Sequence, residues 1–525
     1  MDAQRPHKPG RTRWLVVLAI VAVTAGVAGY AYFKTPAPAP AVPLPPLAAE
    51  ATSEQVHRFC GACHAYPPPE TLPRSAWRKE VKRGYDFLRD SALALDYPPL
   101  ESVVRYYENR ADEQLALPRP AGAATAWPVH FRPRGSRIAD LPPYPAVTHL
   151  NLVHLTDDRR LDLLVCDTRL DQVFLLKPYQ DSDVWHPLGP ALMPCHTEVA
   201  DLDGDGHQDI LVACLGEFFA TDDLVGSVVW LRGAGAGRFT PVTLLDGVGR
   251  VADVRAADFN GDGKSDLVVA VFGWRRTGEV LYLENQTTDW ARPAFVPHRI
   301  DARHGASHVP VADLNGDGRP DFVALFSQEH ETVVAFLNDG TGRFTPQTVY
   351  AGPHPAYGCS SIQLADLDGD RDLDVVLTNG DVLDEPYLLK PYHGVQWLEN
   401  CGTYPFTHHP LAAMPGASCA AAGDLDGDGD ADVVAVSFLP RAEFPQRDEL
   451  GLDAVVLLEQ TERGRFTRHT LASRSCDHFA CAVGDWDADG KLDLATGGYS
   501  WKRTQAIDQA VTLWQNLGTN RPAGR

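Results

Sequence analysis

Methionine is almost missing from this chain. It has three in 525 residues, and after Met1 the next is Met193. Methionine sulfur is thereby withheld as a metal ligand throughout residues 2–192. Basic residues are in the minority, 47 Lys and Arg against 69 Asp and Glu, for a formal net charge of −22. That balance argues against nucleic acid or an anionic membrane surface as partners. Much of the negative charge sits in short Asp-rich loops, where bound cations would cancel part of it.

Charge is absent altogether from residues 14–33, WLVVLAIVAVTAGVAGYAYF. Such a run is long enough as a helix to cross a hydrocarbon core about 30 Å thick. Arg5, Lys8, Arg11 and Arg13 precede it, which predicts a cytoplasmic tail at 1–13, an anchor at 14–33 and export of the rest. A cleaved signal peptide is the alternative, but its apolar core is usually shorter. No lipid-accepting Cys follows the run. Residues 34–50 are dense in proline and predict an extended spacer. The expected location is a single-pass cytoplasmic-membrane protein with most of the chain in the periplasm or outside the cell.

Beyond the spacer the chain is expected to fold. Hydrophobic residues make up 44% of the sequence and charged residues 22%, a globular composition with room for two to four domains. Residues 51–117 predict a small all-α unit: one helix through SEQVHRFCGACH, a second from Ser75 to about Asp90, a third over 100–110. Proline clusters at 67–69 and 98–99 separate them. Residues 118–145 form a Pro-rich connector.

From 146 to 520 the chain repeats. ADLDGDGHQDILVA (200–213) recurs as ADFNGDGKSDLVVA (257–270) and in four further copies, whose first Asp falls at 201, 258, 313, 366, 424 and 485, a spacing of 53–61 residues. A decayed copy, HLTDDRRLDLLVC (154–166), precedes them, keeps Asp158 and Asp162, and makes seven. Each copy leads from an Asp loop into a β-branched run and on to further strands, four per unit. That length and content predict a mainly β fold, a seven-bladed β-propeller of four-stranded blades. The last copy lacks an outer strand, and WPVHFRPRGSRI (127–138) is expected to supply it, so that both ends of the propeller share one sheet.

The loops resemble FG-GAP/VCBS-type repeats, the propeller units also found in integrin heads. Asp201, Asp203, Asp205 and Asp209 alternate with small residues around Gly206, a pattern that aims oxygens at a hard cation such as Ca²⁺. The matching sets are Asp258, Asn260, Asp262, Asp266; Asp313, Asn315, Asp317, Asp321; and Asp366, Asp368, Asp370, Asp374. Two more are Asp424, Asp426, Asp428, Asp432 and Asp485, Asp487, Asp489, Asp493. The flanks are strands and the twelfth position is not Glu, so these are not EF-hands. Arg371 and Ala488 replace a glycine in two copies, which makes those two sites the least regular. The expected role of the ions is structural.

Cys60-Gly-Ala-Cys63-His64 is the attachment spacing of c-type haem. A redox Cys-x-x-Cys pair should lie near a βαβ pattern, and none is visible. The three helices resemble a shortened class I cytochrome c, and the resemblance implies haem c held by Cys60, Cys63 and His64. The usual distal Met is missing, and 84–99 contain neither Met nor His. An open sixth position, Tyr85, Tyr97, or a ligand from the propeller or a partner are the alternatives. The other eight cysteines are an even number in an oxidising compartment, where some disulfides are expected.

Residues before the first strand and after the second should gather on the face opposite the Asp loops. His196, His304, His308, His330 and His478 fall there and form a candidate ligand face, with Cys195, Cys419, Trp274, Arg275 and Glu329 among their neighbours in phase. The function expected from these parts is electron transfer combined with binding of a redox partner or small ligand. A periplasmic oxidoreductase with its substrate at the propeller mouth, and an adhesion or scaffold propeller with a non-functional haem motif, stay open as alternatives.

Overall fold

Seven Asp-started strands set the architecture. Asp162–Asp167, Asp209–Cys214, Asp266–Val271, Asp321–Phe326, Asp374–Asn379, Asp432–Ser437 and Asp493–Gly498 are buried at every position. A strand buried on both faces must be apolar throughout, and runs such as DLVVAV and DFVALF meet that demand. Each is the second strand of an antiparallel sheet in the computed structural model, which describes residues 49–519 except 92, 118–128, 140, 142, 158, 236, 385 and 504.

The seven sheets are the blades of a propeller. In the third, Val251–Ala257, Asp266–Val271, Glu279–Asn285 and Phe295–Asp301 pair in sequence order, innermost to outermost. In the fourth, the inner strand is broken into Ala306–His308 and Val311–Ala312, both paired to Asp321–Phe326. Pro310 lies in the gap, and a residue without an N–H cannot continue the ladder. The seventh sheet is closed by Val129–Ser136, which pairs antiparallel with Val511–Thr519. Apolar clusters bridge neighbouring blades: Leu211 and Trp230 of the second pack with Val254, Leu267 and Val269 of the third.

One hydrogen-bonding device recurs in the blades. Asp266 is buried; its Oδ1 accepts from Asn285 N–H at 2.7 Å, and its Oδ2 accepts from Phe259 N–H at 3.3 Å and Tyr282 O–H at 2.9 Å. The same latch from loop to third strand is made by Asp209, Asp321, Asp374, Asp432 and Asp493. In the decayed copy Asp162 holds Thr156 N–H at 2.6 Å and Tyr179 O–H at 2.9 Å. This copy therefore has the latch although His154 and Thr156 stand at the first and third loop positions.

Among the described residues three α-helices precede the propeller: α1 Ser53–Cys60, α2 Arg74–Asp90 and α3 Leu100–Glu108. A capping box starts α1, with Gln55 N–H donating to Thr52 Oγ1 at 3.2 Å and Thr52 N–H donating to Gln55 Oε1 at 2.9 Å. The helix stops earlier than the spacing suggests. It ends at Cys60, and Cys63 and His64 lie in the bend beyond it. A Cβ on Gly61 would stand 2.7 Å from the His57 carbonyl, so only glycine fits this tight exit without a shift. Trp77 and Tyr107 stack at 3.8 Å in the helical core, with Val56, Val81, Val103 and Val104 around them.

These helices are not a separate body. Residues 51–525 form one compact unit, and the helices rest on propeller loops. Tyr392 O–H donates to the Thr71 carbonyl at 3.2 Å, Leu388 packs against the helical core, and the Arg275 guanidinium lies 3.9 Å over the Phe87 ring. The expected anchor at 14–33, the tail at 1–13 and most of the spacer lie outside the described residues. Among the described residues no helix is long and apolar enough to cross a membrane, and no two cysteines are bridged.

Candidate functional site

In every blade the first strand runs from the mouth to the Asp loop, and the second runs back. The start of one strand and the end of the next therefore share the face opposite the loops. There a cavity of about 1140 Å³ lies between the propeller and the helices. Its helical wall carries Phe59, Cys60, Cys63, His64, Val81 and Phe87. Its propeller wall carries His149, His196, Arg250, Trp274, His304, His308 and Glu329, among others.

The propeller wall follows the repeat phase. Five residues before the first loop position (154, 201, 258, 313, 366, 424, 485) stand His149, His196, Asp253, His308, Ser361, Cys419 and Ala480. His149 and His196 have ring centroids 4.2 Å apart. His196 Nε2 lies 3.1 Å from Asp253 Oδ1, without hydrogen-bond geometry. Burial keeps His196 far below its usual pKa, so this contact joins a neutral ring to a carboxylate and is not an ion pair. Burial also pushes His149 down to about 3 and His308 down to about 4. The nearby cation is Arg255, which donates to Asp253 at 3.1 Å and to Glu198 at 3.2 Å.

A second cluster stands at the rim. His304 Nε2–H donates to Glu329 Oε1 at 2.8 Å, and the His330 ring lies 4.8 Å from that of His304. Burial opposes ionisation of Glu329, yet the His304 hydrogen bond, the charge interactions with His304 and His330 and a backbone hydrogen bond together outweigh it and hold the carboxyl at about 2. Burial pushes His330 down to about 4. The charge of Glu329 acts on Cys63 across the cavity, adding to burial in raising that thiol. On the helical wall, His64 Nδ1 is 2.8 Å from the Ala65 carbonyl. A carbonyl only accepts, so the ring proton is on Nδ1, and Nε2 keeps its lone pair.

The five histidines picked from the sequence thus divide. His304 and His330 meet at Glu329, and His196 and His308 lie on the inner ring. His478 stands apart in the seventh blade, pushed down to about 4 by burial. Sequence reasoning missed His149, Asp253 and Arg255; alignment of the seven copies by phase would have found the first two. Tyr85 donates its hydroxyl to the Pro98 carbonyl at 2.5 Å, and it and Tyr97 stack around Phe59 and do not line the cavity.

At the opposite face the loops bring together the first, third and ninth positions. Ligand atoms of Asp201, Asp203 and Asp209 lie within 4.8 Å of one another, as do those of Asp366, Asp368 and Asp374, of Asp424, Asp426 and Asp432, and of Asp485, Asp487 and Asp493. The fifth position also bonds the backbone through one carboxylate oxygen, as where Asp262 Oδ1 accepts from Lys264 N–H at 2.9 Å. The loop of the third blade is further tied by Gly263 N–H to Asp258 Oδ2 at 2.9 Å, and Asn260 Oδ1 accepts from Asp262 N–H at 3.0 Å. Asp313, Asn315 and Asp317 of the fourth blade are bonded alike. Burial, opposed by the latch hydrogen bonds, raises the ninth-position carboxyls, Asp432 and Asp493 to about 7.

Comparison with known proteins supplies a family for the repeats. Residues 213–269 and 313–377 match the FG-GAP-like repeat. The propeller thus contains FG-GAP-like repeats within seven four-stranded blades. Among solved structures, the chain is similar to BBS1N in its complex with ARL6DN, at 12% identity over 73% of this chain and 96% of that one, with a TM-score of 0.43. It is also similar to virginiamycin B lyase from Staphylococcus aureus, at 10% identity over 74% and 99%, with a TM-score of 0.44. No curated protein matches the sequence.

Proposed function

We propose that this protein is an exported, membrane-tethered c-type haem protein whose calcium-stabilised propeller binds a redox partner or small ligand beside the haem. The observation that carries the reading is the shared cavity: Cys60, Cys63 and His64 open into the same space as the propeller mouth. The residues fit the group. Two thiols at attachment spacing stand on one wall, and the adjacent imidazole has a ligand-ready nitrogen because its other nitrogen is tied to Ala65. Phe59, Leu72, Val81 and Leu88 give that wall an apolar surface. Haem c there would be held by Cys60, Cys63 and His64 and would supply one-electron transfer.

The chain's own contribution is to position and shield. Gly61 lets the backbone turn at the end of α1 so that both thiols reach one side. Arg275 over Phe87 and Tyr392 on Thr71 hold α2 and its lead-in against the mouth. The Asp loops lie at the far end of the blade strands from this chemistry, and ions bound there would stabilise the blades without joining the reaction. The test is a pyridine haemochrome assay on chain produced with cytochrome c maturation. One haem per chain, lost in C60A/C63A, is expected; a colourless product with two reactive thiols would refute the reading.

A further inference from the structure

The geometry points to a second metal centre at the cavity rim: we propose that His304, Glu329 and His330 bind one divalent transition ion of the zinc class, distinct from calcium. One ligand atom from each residue lies within 4.8 Å of the other two. His304 and Glu329 share a single hydrogen bond at 2.8 Å, and His330 Nε2 is buried without a hydrogen-bond partner. An ion pair alone would explain the first contact and leave the third nitrogen unexplained. Leaving a buried polar atom unmatched is unfavourable, and an ion bound through His330 Nε2 would remove that cost.

The donor set selects the metal. Two imidazoles and a carboxylate suit zinc, cobalt, nickel or copper and are poor ligands for calcium, which wants six to eight oxygens. Two histidines and a glutamate are also the protein ligands of zinc sites that keep a position open. His304 and Glu329 line the cavity, so an open position would face it. The scaffold holds the three in place. His304 precedes Gly305, whose N–H donates to the Phe272 carbonyl at 2.8 Å and whose carbonyl accepts from Ser327 N–H at 2.8 Å. Glu331, next to His330, accepts from Cys359 N–H at 2.7 Å and ties the loop to the fifth blade.

The experiment is a cobalt titration of the full chain carrying C60A/C63A, in saturating calcium. That background removes the thiols and any covalently held haem, so this site stands or falls apart from the reading above. One equivalent of Co²⁺ with the intense visible bands of nitrogen-containing four- or five-coordination is expected, displaced by Zn²⁺. H304A/H330A should abolish the bands, and E329Q should weaken binding roughly tenfold or more. H330A alone, which removes a ring with no hydrogen bond at Nε2, keeps the test readable if the double variant fails to fold. H298A, at an exposed His–Glu contact of 3.0 Å on the third blade, should change nothing. No uptake, only the weak bands of all-oxygen coordination, or binding that survives H330A would overturn the assignment.

Discussion

Replacing Asp266 and Asp262 by asparagine separates the two jobs of an acidic loop. Asp266 accepts from three donors, Asn285 N–H, Phe259 N–H and Tyr282 O–H, within the buried base of the third blade. An amide keeps one oxygen and turns an NH₂ group toward one of the two sides. At least one donor then faces another donor, and the charge-assisted bond is lost. The expected cost of D266N in chelator, where only the latch is at stake, is about 2–4 kcal/mol. Asp262 is exposed, and its Oδ1 accepts only from Lys264 N–H at 2.9 Å, a bond that asparagine retains. D262N should therefore be neutral within about 0.5 kcal/mol in chelator. In calcium it should lose much of what that ion contributes, about 2.7 kcal/mol for a site at a hundredfold excess over its dissociation constant. Denaturant unfolding at mildly alkaline pH, in calcium and in excess chelator, gives all four values. Wild-type stability for D266N in chelator would refute the latch. Equal destabilisation by D262N in both conditions would refute the ion.

Two further outcomes rest on local geometry. Arg371 (φ 79°) and Ala488 (φ 61°) occupy left-handed positions that glycine fills in most of the other copies; R371G and A488G should each raise stability by about 1 kcal/mol, read as a higher denaturant midpoint. His308 is pushed from 6.5 to about 4 by burial, so between those values the unfolded chain binds a proton that the folded chain does not. Stability from this residue is complete above about pH 6.5 and falls as pH drops toward 4, by on the order of 2–3 kcal/mol. H308N should flatten that part of the stability profile, and an unchanged acid limb would count against a buried neutral ring.

The repeat spacing alone predicted seven blades and the phase of each Asp loop, because a blade cannot bury its faces without neighbours of the same length and pattern. It also predicted a strand after each Asp loop; that these strands are buried on both faces is seen only in the fold. The latch role of the ninth Asp was not legible: metal ligand and backbone acceptor call for the same carboxylate, and only its burial and partners distinguish them. The docking of the CxxCH helix over the mouth was not legible either. It depends on Arg275 meeting Phe87 and Tyr392 meeting Thr71, contacts between segments about 190 and 320 residues apart that share no period. His304, Glu329 and His330 were expected on the mouth face, but their meeting in one cluster was not legible, since they come from two separate loops. Periodicity records which residues share a strand position, whereas contacts between loops and caps arise from shape, and these were decided only when the chain closed on itself.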